Sequence, residues 1–164
     1  MAKAIALIAS ALCILALAGF AQCHQTEQLF NVEGKVYCDT CRVQFHTKIS
    51  QNIPEAKVRL ECRHRQLGKI TYSVEGVTDA TGHYSLPVAG DRQEDICEVM
   101  VLESPQADCN EPMKGLDRAR VLCTENGGMT SKVRYANPLG FMKKEALCGC
   151  KEVLDALGFL PIQY

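Results

Sequence analysis

Ten cysteines in 164 residues constrain this chain more than any other feature, because cross-links between them limit which folds can form. Whether they bond depends on the compartment. At the N-terminus, the single positive charge of Lys3 precedes an apolar run from Ala4 to Ala18, and small residues follow. This layout is typical of a secretory signal peptide. We therefore expect an exported protein whose thiols meet an oxidising environment.

The cysteine count favours one cleavage site. Small residues allow cleavage after Ala18, Ala21 or Cys23. Only the third removes Cys23 together with Cys13, and it leaves an even number of cysteines, whereas an odd number would leave a reactive thiol. We expect a signal peptide over residues 1–23 and one mature domain over residues 24–164. The eight cysteines of that domain are Cys38, Cys41, Cys62, Cys97, Cys109, Cys123, Cys148 and Cys150.

The charge of the mature chain argues against several classes of partner. The net charge of −1 becomes −2 when Lys3 is lost with the signal peptide. Near-neutral charge gives no reason to expect nucleic acid, and no later apolar run is long enough to insert into a membrane. The sequence has no zinc-protease helix, nucleophile elbow or phosphate-binding glycine loop. We expect no cofactor, no metal and no catalytic activity.

The hydropathy pattern has mostly a period of two. In Val32–Cys38 and in Ala56–Cys62, apolar residues alternate with charged ones, as in half-buried strands. Short strands at regular spacing predict a mainly β protein, an antiparallel sandwich or barrel. The other candidate strands are Ile70–Val74, His83–Val88 and the central strand Ile96–Leu102, with weaker signals at Val121–Cys123 and Lys132–Tyr135.

The C-terminal region has a different period. Leu147, Cys150, Leu154 and Leu157 recur at helical spacing, which predicts one amphipathic helix packed on the sheets. Within such a helix the side chains of Cys148 and Cys150 would point about 200° apart, because successive residues turn by about 100°. We expect the two cysteines to bond to different parts of the fold.

The pair Cys38 and Cys41 has three interpretations. A redox pair needs a helix N-terminus in a βαβ unit, but here the first cysteine ends a strand. A zinc site with Cys148 and Cys150 is chemically feasible, but oxidising conditions favour disulfides. The favoured interpretation is two structural cysteines, each bonded to a distant segment.

The residues around this pair resemble a known family. Glu33–Arg42, with the sequence EGKVYCDTCR, is similar to the signature of the olive pollen major allergen family (Ole e I-like, also called pollen allergen/extensin-like). The resemblance continues in Ala56–Cys62, Gly76–Tyr84, Glu94–Cys97 and Ala136–Phe141. It implies a secreted plant protein with a β-rich barrel or sandwich domain and no established catalytic activity. Members are linked to pollen, pollen-tube growth and hydration, and the cell wall.

The resemblance also implies a disulfide pattern. Carried onto this chain, the three family bonds join Cys38 to Cys109, Cys41 to Cys150, and Cys62 to Cys97. Eight cysteines alone would allow 105 connectivities, so this pattern comes from the family. Cys123 and Cys148 remain as a departure from the six-cysteine pattern, and we predict that they form a fourth disulfide.

A basic cluster is the best candidate for a binding surface. Three of its members alternate outward on a predicted strand, and the others follow in the next loop. Such a cluster can bind acidic wall polysaccharide or an acidic receptor surface, although a solvated strand face is the simpler interpretation. Asp39 and Glu61 are the carboxylates that could form an acid–base pair, but nothing places them together. The cluster consists of Lys57, Arg59, Arg63, His64, Arg65 and Lys69.

Three classes of function are compatible with the sequence. The leading hypothesis is a non-catalytic module that binds a receptor-kinase ectodomain or a wall polymer. The second is a cell-wall enzyme, or an enzyme inhibitor that presents the loop Pro105–Pro112 around Cys109. The third is a structural wall component or a carrier of small ligands. The sequence does not indicate an oligomeric state.

Overall fold

A computed structural model describes residues 28–159 of the chain. The predicted signal peptide and its cleavage site lie outside these residues, as do residues 160–164. The described part contains ten strands, a 3₁₀ turn over Glu125–Gly127 and a C-terminal helix. The elements are β1 (Gln28–Asp39), β2 (Gln51–Asn52), β3 (Lys57–His64), β4 (Ile70–Val77), β5 (His83–Ala89), β6 (Asp95–Glu103), β7 (Glu111–Pro112), β8 (Arg118–Val121), β9 (Val133–Tyr135), β10 (Leu139–Met142) and α1 (Cys150–Ala156).

The first sheet is built around β1. This long strand pairs antiparallel with β5 over its first half and with β2 near its end. It also pairs parallel with β9 and with β10. The sequence predicted antiparallel strands, and β9 and β10 depart from this arrangement by running parallel to β1. The last strands run parallel to β1 because the chain returns to it only after crossing the second sheet, and parallel neighbours need such a long connection.

The second sheet has four antiparallel strands in the order β4-β3-β6-β8. Its central strands β3 and β6 alternate between buried and more exposed residues, as the sequence predicted for a half-buried sheet. The alternation places Lys57, Arg59, Glu61 and Arg63 on the outer face. The charged side chains of β3 therefore point away from the core.

Side chains of both sheets fill the space between them. The largest buried residues include Phe30 on β1, Leu60 on β3, Tyr84 and Leu86 on β5, and Phe141 on β10. Burial of these apolar surfaces supplies the main driving force for folding. The predictions of a mainly β fold with two packed sheets and one C-terminal helix are confirmed.

Two glycines are required by close approach of the chain. Gly34, within the signature, faces the ring of Tyr84, and a β-carbon at this position would overlap the phenol. Gly82 has a φ of 74° in the turn before β5, and a β-carbon there would lie 2.7 Å from the carbonyl oxygen of Val36. Only glycine adopts this conformation without strain.

Candidate functional site

The two signature cysteines anchor β1 to distant segments. Cys38 bonds to Cys109, and Cys41 bonds to Cys150 at the first residue of α1. The third disulfide joins Cys62 to the directly opposite Cys97 across β3 and β6. These are the three pairs that the family resemblance implied. Because Cys38 and Cys41 belong to different disulfides, the redox-pair and zinc interpretations do not apply.

The predicted fourth disulfide is absent, since Cys123 is a buried free thiol and Cys148 an exposed one. Cys123 follows β8 near Arg134, which pairs with Val32 in the first half of β1. Cys148 precedes α1, which the Cys41–Cys150 disulfide fixes beyond the other end of β1. Val32 and Asp39, at the end of β1, are separated by about 23 Å of extended strand. A disulfide requires Cα atoms within about 7 Å.

The loop after β1 is organised by Asp39. This residue is fully buried, and its carboxylate accepts hydrogen bonds from the backbone N–H groups of Cys41 (3.0 Å) and Gln44 (2.6 Å). Arg42 and Gln44 have positive φ angles of 57° and 63°, which non-glycine residues rarely adopt. Asp39 therefore holds a strained loop in place, and it acts as a structural residue rather than as a general acid or base.

The same loop packs against the C-terminal end of the described chain. The ring of Phe45 stacks on that of Phe159, with centroids 5.4 Å apart. The rings of His46 and Tyr37 meet edge to face, with centroids 5.1 Å apart. The Arg42 guanidinium donates hydrogen bonds to the Glu111 carboxylate and to the carbonyl of Lys143. The disulfides, ring contacts and ion pair make this end of the molecule a rigid, cross-linked unit.

The predicted basic cluster divides into two parts. On β3, each cation has an acidic neighbour: Lys57 pairs with Glu103, Arg59 with Glu75, and Arg63 with Glu61. Most of these groups are exposed, so solvent screening leaves each pair with little effect on stability, but the pairs neutralise the strand face. The cluster is therefore not the continuous cationic surface that the sequence suggested.

The second part of the cluster lies in the hairpin between β3 and β4. There Arg65 and Lys69 form no ion pair with any residue between 28 and 159. The His64 imidazole accepts hydrogen bonds from the backbone N–H groups of Gln66 and Leu67, both at 3.3 Å. The unpaired charge of the predicted cluster is therefore concentrated in this hairpin.

A surface groove of about 610 Å³ begins at this hairpin. Arg65 borders one side, and Arg120 and Leu122 from the end of β8 border the other. Asp95 and Ile96, at the start of β6, lie between them. The β8 side of this groove was not predicted from the sequence. The alternation of Arg118, Ala119, Arg120 and Val121 was the available signal, but the sequence did not show that β8 adjoins β6.

The carboxylates and histidines do not converge. Asp39 ends β1 in the first sheet, whereas Glu61 lies on the outer face of the second. His46 contacts Tyr37, and His83 lies 3.5 Å from Glu33. Within residues 28–159, no group of three or more His, Cys, Asp or Glu side chains is placed to hold a metal ion.

The resolved pKa shifts occur at separate positions. Burial raises the pKa of the Cys123 thiol to about 11 and also raises the pKa of Tyr84. Hydrogen bonds to Thr81 and His83 lower the pKa of Asp79 in its turn. Each of these shifts has a local structural cause, which is burial for Cys123 and Tyr84 and hydrogen bonds within one turn for Asp79.

Two further features bear on the predicted classes of function. In the loop proposed for an inhibitor, Cys109 is buried, the Lys143 ammonium donates to Asp108, and Glu111 pairs with Arg42. This loop is thus fixed to the body of the protein.

None of the helices in the described part is long and apolar enough to cross a bilayer.

Comparison with known proteins places these features in context. The family described as Pollen protein Ole e 1 like matches residues 28–158. The chain is 56% identical over 164 residues to the anther-specific protein LAT52 of Solanum lycopersicum, and the match covers 100% of both chains. It is 49% identical to an Olee1-like protein of Betula pendula, covering 98% of this chain and 97% of the relative.

A solved structure is also similar. The major plantain pollen allergen Pla l 1 matches with a TM-score of 0.65 and 34% sequence identity. The match covers 74% of this chain and 98% of the plantain chain. The resemblance therefore extends from the signature to the arrangement of the sheets.

Proposed function

Because the chain belongs to the Pollen protein Ole e 1 like family, we propose that it is a secreted, non-catalytic binding or signalling module of the plant cell wall or apoplast. Several relatives are named as anther-specific proteins, pollen-specific proteins or pollen allergens, and these names support a role in pollen or pollen-tube growth. Three disulfides suit an oxidising extracellular compartment.

The placement of the polar side chains carries this proposal. The space between the sheets is filled by residues such as Leu60 and Phe141, which are fully or almost fully buried. Enzymes and carriers generally bind their ligands in a concave pocket with convergent polar groups. Here most ionisable groups lie on the outer faces of the sheets and in the loops, and the buried Asp39 and Arg134 side chains are hydrogen-bonded to the backbone. This arrangement supports recognition at the surface over chemistry in an interior site.

Two kinds of partner remain from the sequence, an acidic wall polysaccharide and a receptor-kinase ectodomain. The ion pairs of Lys57, Arg59 and Arg63 weaken the case for the polysaccharide, because a neutralised strand face attracts a polyanion only weakly. We expect the double variant Arg59→Glu/Arg63→Glu to keep the retention of the wild-type protein on de-esterified pectin. A large loss of retention would instead support the polysaccharide.

Affinity capture tests the binding function itself. The oxidised protein comprising residues 24–164 would be biotinylated and incubated with pollen-tube apoplast and solubilised wall material. We expect specific capture of an ectodomain or a wall polymer, which mass spectrometry and glycan analysis would identify. Reduced and alkylated protein is the control, since it lacks the disulfide-held surface. Capture of neither class, or turnover of a wall substrate, would contradict the proposal.

Inhibition of a wall enzyme is a second candidate, favoured by one observation. The Cys38–Cys109 disulfide and the contacts of Asp108 and Glu111 hold the loop around Cys109, and rigid loops bind with a low entropic cost. Assays of wall hydrolases with and without the protein test this candidate. Substitutions at the exposed residues Ala107 and Asn110 should then abolish inhibition without changing stability.

A further inference from the structure

The groove between the β3–β4 hairpin and the end of β8 combines an apolar surface with two cationic borders. Ile96 and Val121 contribute apolar surface, and Leu122 is 50% exposed beside them. Arg65 and Arg120 stand on opposite sides. An exposed apolar surface bordered by charge is a common feature of protein interaction sites.

The charges of this groove are available to a partner. Arg65 has no ion pair among the described residues, although its backbone N–H donates to the carbonyl of Glu94. Arg120 is 70% exposed, and its nearest carboxylate, that of Glu98, is 3.9 Å away. Such a long exposed pair contributes little, so the guanidinium remains free to bind another acid.

The carboxylate of Asp95, which lines the groove, already interacts with two side chains of the protein. The Asp95 side chain is only 8% exposed, and its carboxylate accepts a hydrogen bond of 2.6 Å from the Thr71 hydroxyl. Its second neighbour is the Arg92 guanidinium at 3.9 Å. Arg92 offsets part of the charge of the nearly buried Asp95, and the exposed charges at the borders of the groove are those of the two arginines.

We propose that this groove binds an acidic, extended peptide segment of a partner protein. Two carboxylates of the segment pair with Arg65 and Arg120, and an apolar side chain between them packs on Ile96 and Leu122. Arginine suits this role because its planar guanidinium binds carboxylates in a bidentate manner. The inference deepens the proposed binding function by giving it a location and a ligand chemistry.

The lining of the groove favours a peptide over an oligosaccharide. It contains aliphatic side chains and no aromatic ring among the described residues. Uronate polymers offer carboxylates to the arginines, but their hydroxylated rings match the aliphatic surface poorly, since polar groups buried there lose hydrogen bonds to water. A leucine or valine side chain loses no hydrogen bond on the same surface.

Titrations with defined probes test the proposal. The probes are a capped twelve-residue peptide of alternating glutamate and leucine, its lysine-for-glutamate counterpart, and oligogalacturonate of equal charge. NMR of the oxidised protein should show saturable shifts at the amides of Arg65, Ile96, Arg120 and Leu122 with the acidic peptide. The lysine peptide should cause no such shifts, and oligogalacturonate should bind more weakly.

Matched charge variants localise the effect. Arg65→Glu/Arg120→Glu should weaken acidic-peptide binding at least about tenfold, which corresponds to about 1.4 kcal/mol. Lys35→Glu/Lys151→Glu makes the same change in net charge at exposed positions on β1 and α1, and should leave affinity within about twofold. If the first variant does not fold, Arg65→Gln/Arg120→Gln replaces it.

Three results would overturn the proposal: no saturable shifts with the acidic peptide, equal losses in both double variants, or tighter binding of oligogalacturonate in the groove.

Affinity capture with the Arg65→Glu/Arg120→Glu variant separates the groove from the broader function. Capture of a protein by the wild type but not by this variant supports both. Equal capture by both proteins overturns the groove and keeps the binding function, whereas no capture by the wild type contradicts the function itself.

Discussion

Removal of the buried Asp39 carboxylate should lower the free energy of unfolding by an amount that its hydrogen bonds allow us to estimate. The carboxylate accepts a hydrogen bond of 3.0 Å from the buried backbone N–H of Cys41 and one of 2.6 Å from the N–H of Gln44. The substitution Asp39→Ala removes both acceptors and leaves the first donor without a partner. It also releases the loop that holds Arg42 and Gln44 at positive φ.

The cost of Asp39→Ala follows from these contacts. A hydrogen bond to a charged group contributes about 1.5–3 kcal/mol, and an unsatisfied buried donor costs a similar amount. The Gln44 donor is only partly buried, so water can replace much of its lost bond. We expect the free energy of unfolding to fall by about 3 kcal/mol, and by less for Asp39→Asn, which keeps one acceptor oxygen.

Urea denaturation of the oxidised protein, followed by circular dichroism, measures this change. Asp79→Ala is the matched control, because Asp79 also accepts hydrogen bonds from two backbone N–H groups, of Thr81 and His83, but is exposed. Its loss should be clearly smaller, since water reaches the freed donors. A loss below about 1 kcal/mol for Asp39→Ala, or equal losses in both variants, would show that the buried Asp39 carboxylate does not hold the loop.

Three other substitutions or measurements test the packing and the cysteines. Tyr84→Phe should raise the free energy of unfolding by about 1 kcal/mol, because the buried hydroxyl has no hydrogen-bond partner. The raised pKa of Tyr84 in the folded state means that wild-type stability falls as pH rises above 10.0, so the advantage of phenylalanine should widen there in denaturation curves. Thiol titration of the protein comprising residues 24–164 should find one reactive thiol, Cys148, in the native state. It should find two after unfolding, because Cys123 then becomes accessible. If neither state shows a reactive thiol, Cys123 and Cys148 form the fourth disulfide after all. Gly82→Ala should cost at least about 2 kcal/mol in the same unfolding assay, and an unchanged midpoint would contradict the strain expected at its φ of 74°.

Alternation of apolar and charged residues predicted most of the second sheet. In β3, the apolar residues Val58 and Leu60 face the core, and Lys57 and Arg59 face outward, as the period of two indicates. The pattern could not show the acidic partners of these cations, because Glu75 and Glu103 approach only when β4 and β6 pair with β3. The sequence therefore predicted where the cations of the cluster lie, but not that the three on β3 are paired with acidic side chains.

The weaker strands show where alternation fails. On β9, Arg134 is 3% exposed, whereas Tyr135 is 77% exposed, the reverse of their usual preferences. The Arg134 guanidinium stacks 4.5 Å from the ring of Phe30 and donates to the carbonyl of Thr124, and these contacts compensate its burial. Such compensation depends on residues far away in the sequence, so no local pattern predicts it.

The C-terminal helix was predicted too long, and this error affected the cysteines. The helix spans only Cys150–Ala156, so Cys148 lies in the turn before it rather than on a helical face. Pairing Cys148 with Cys123 followed from counting the cysteines that remained. That reasoning could not include the length of β1, which separates the two thiols.

Binding of the oxidised protein to living pollen tubes tests the central claim most directly. Fluorescently labelled protein comprising residues 24–164 would be added at increasing concentrations, with and without an excess of unlabelled protein. We expect saturable surface binding that the unlabelled protein displaces and that reduced, alkylated protein does not reproduce. Binding that rises linearly with concentration and is not displaced would contradict a specific binding function.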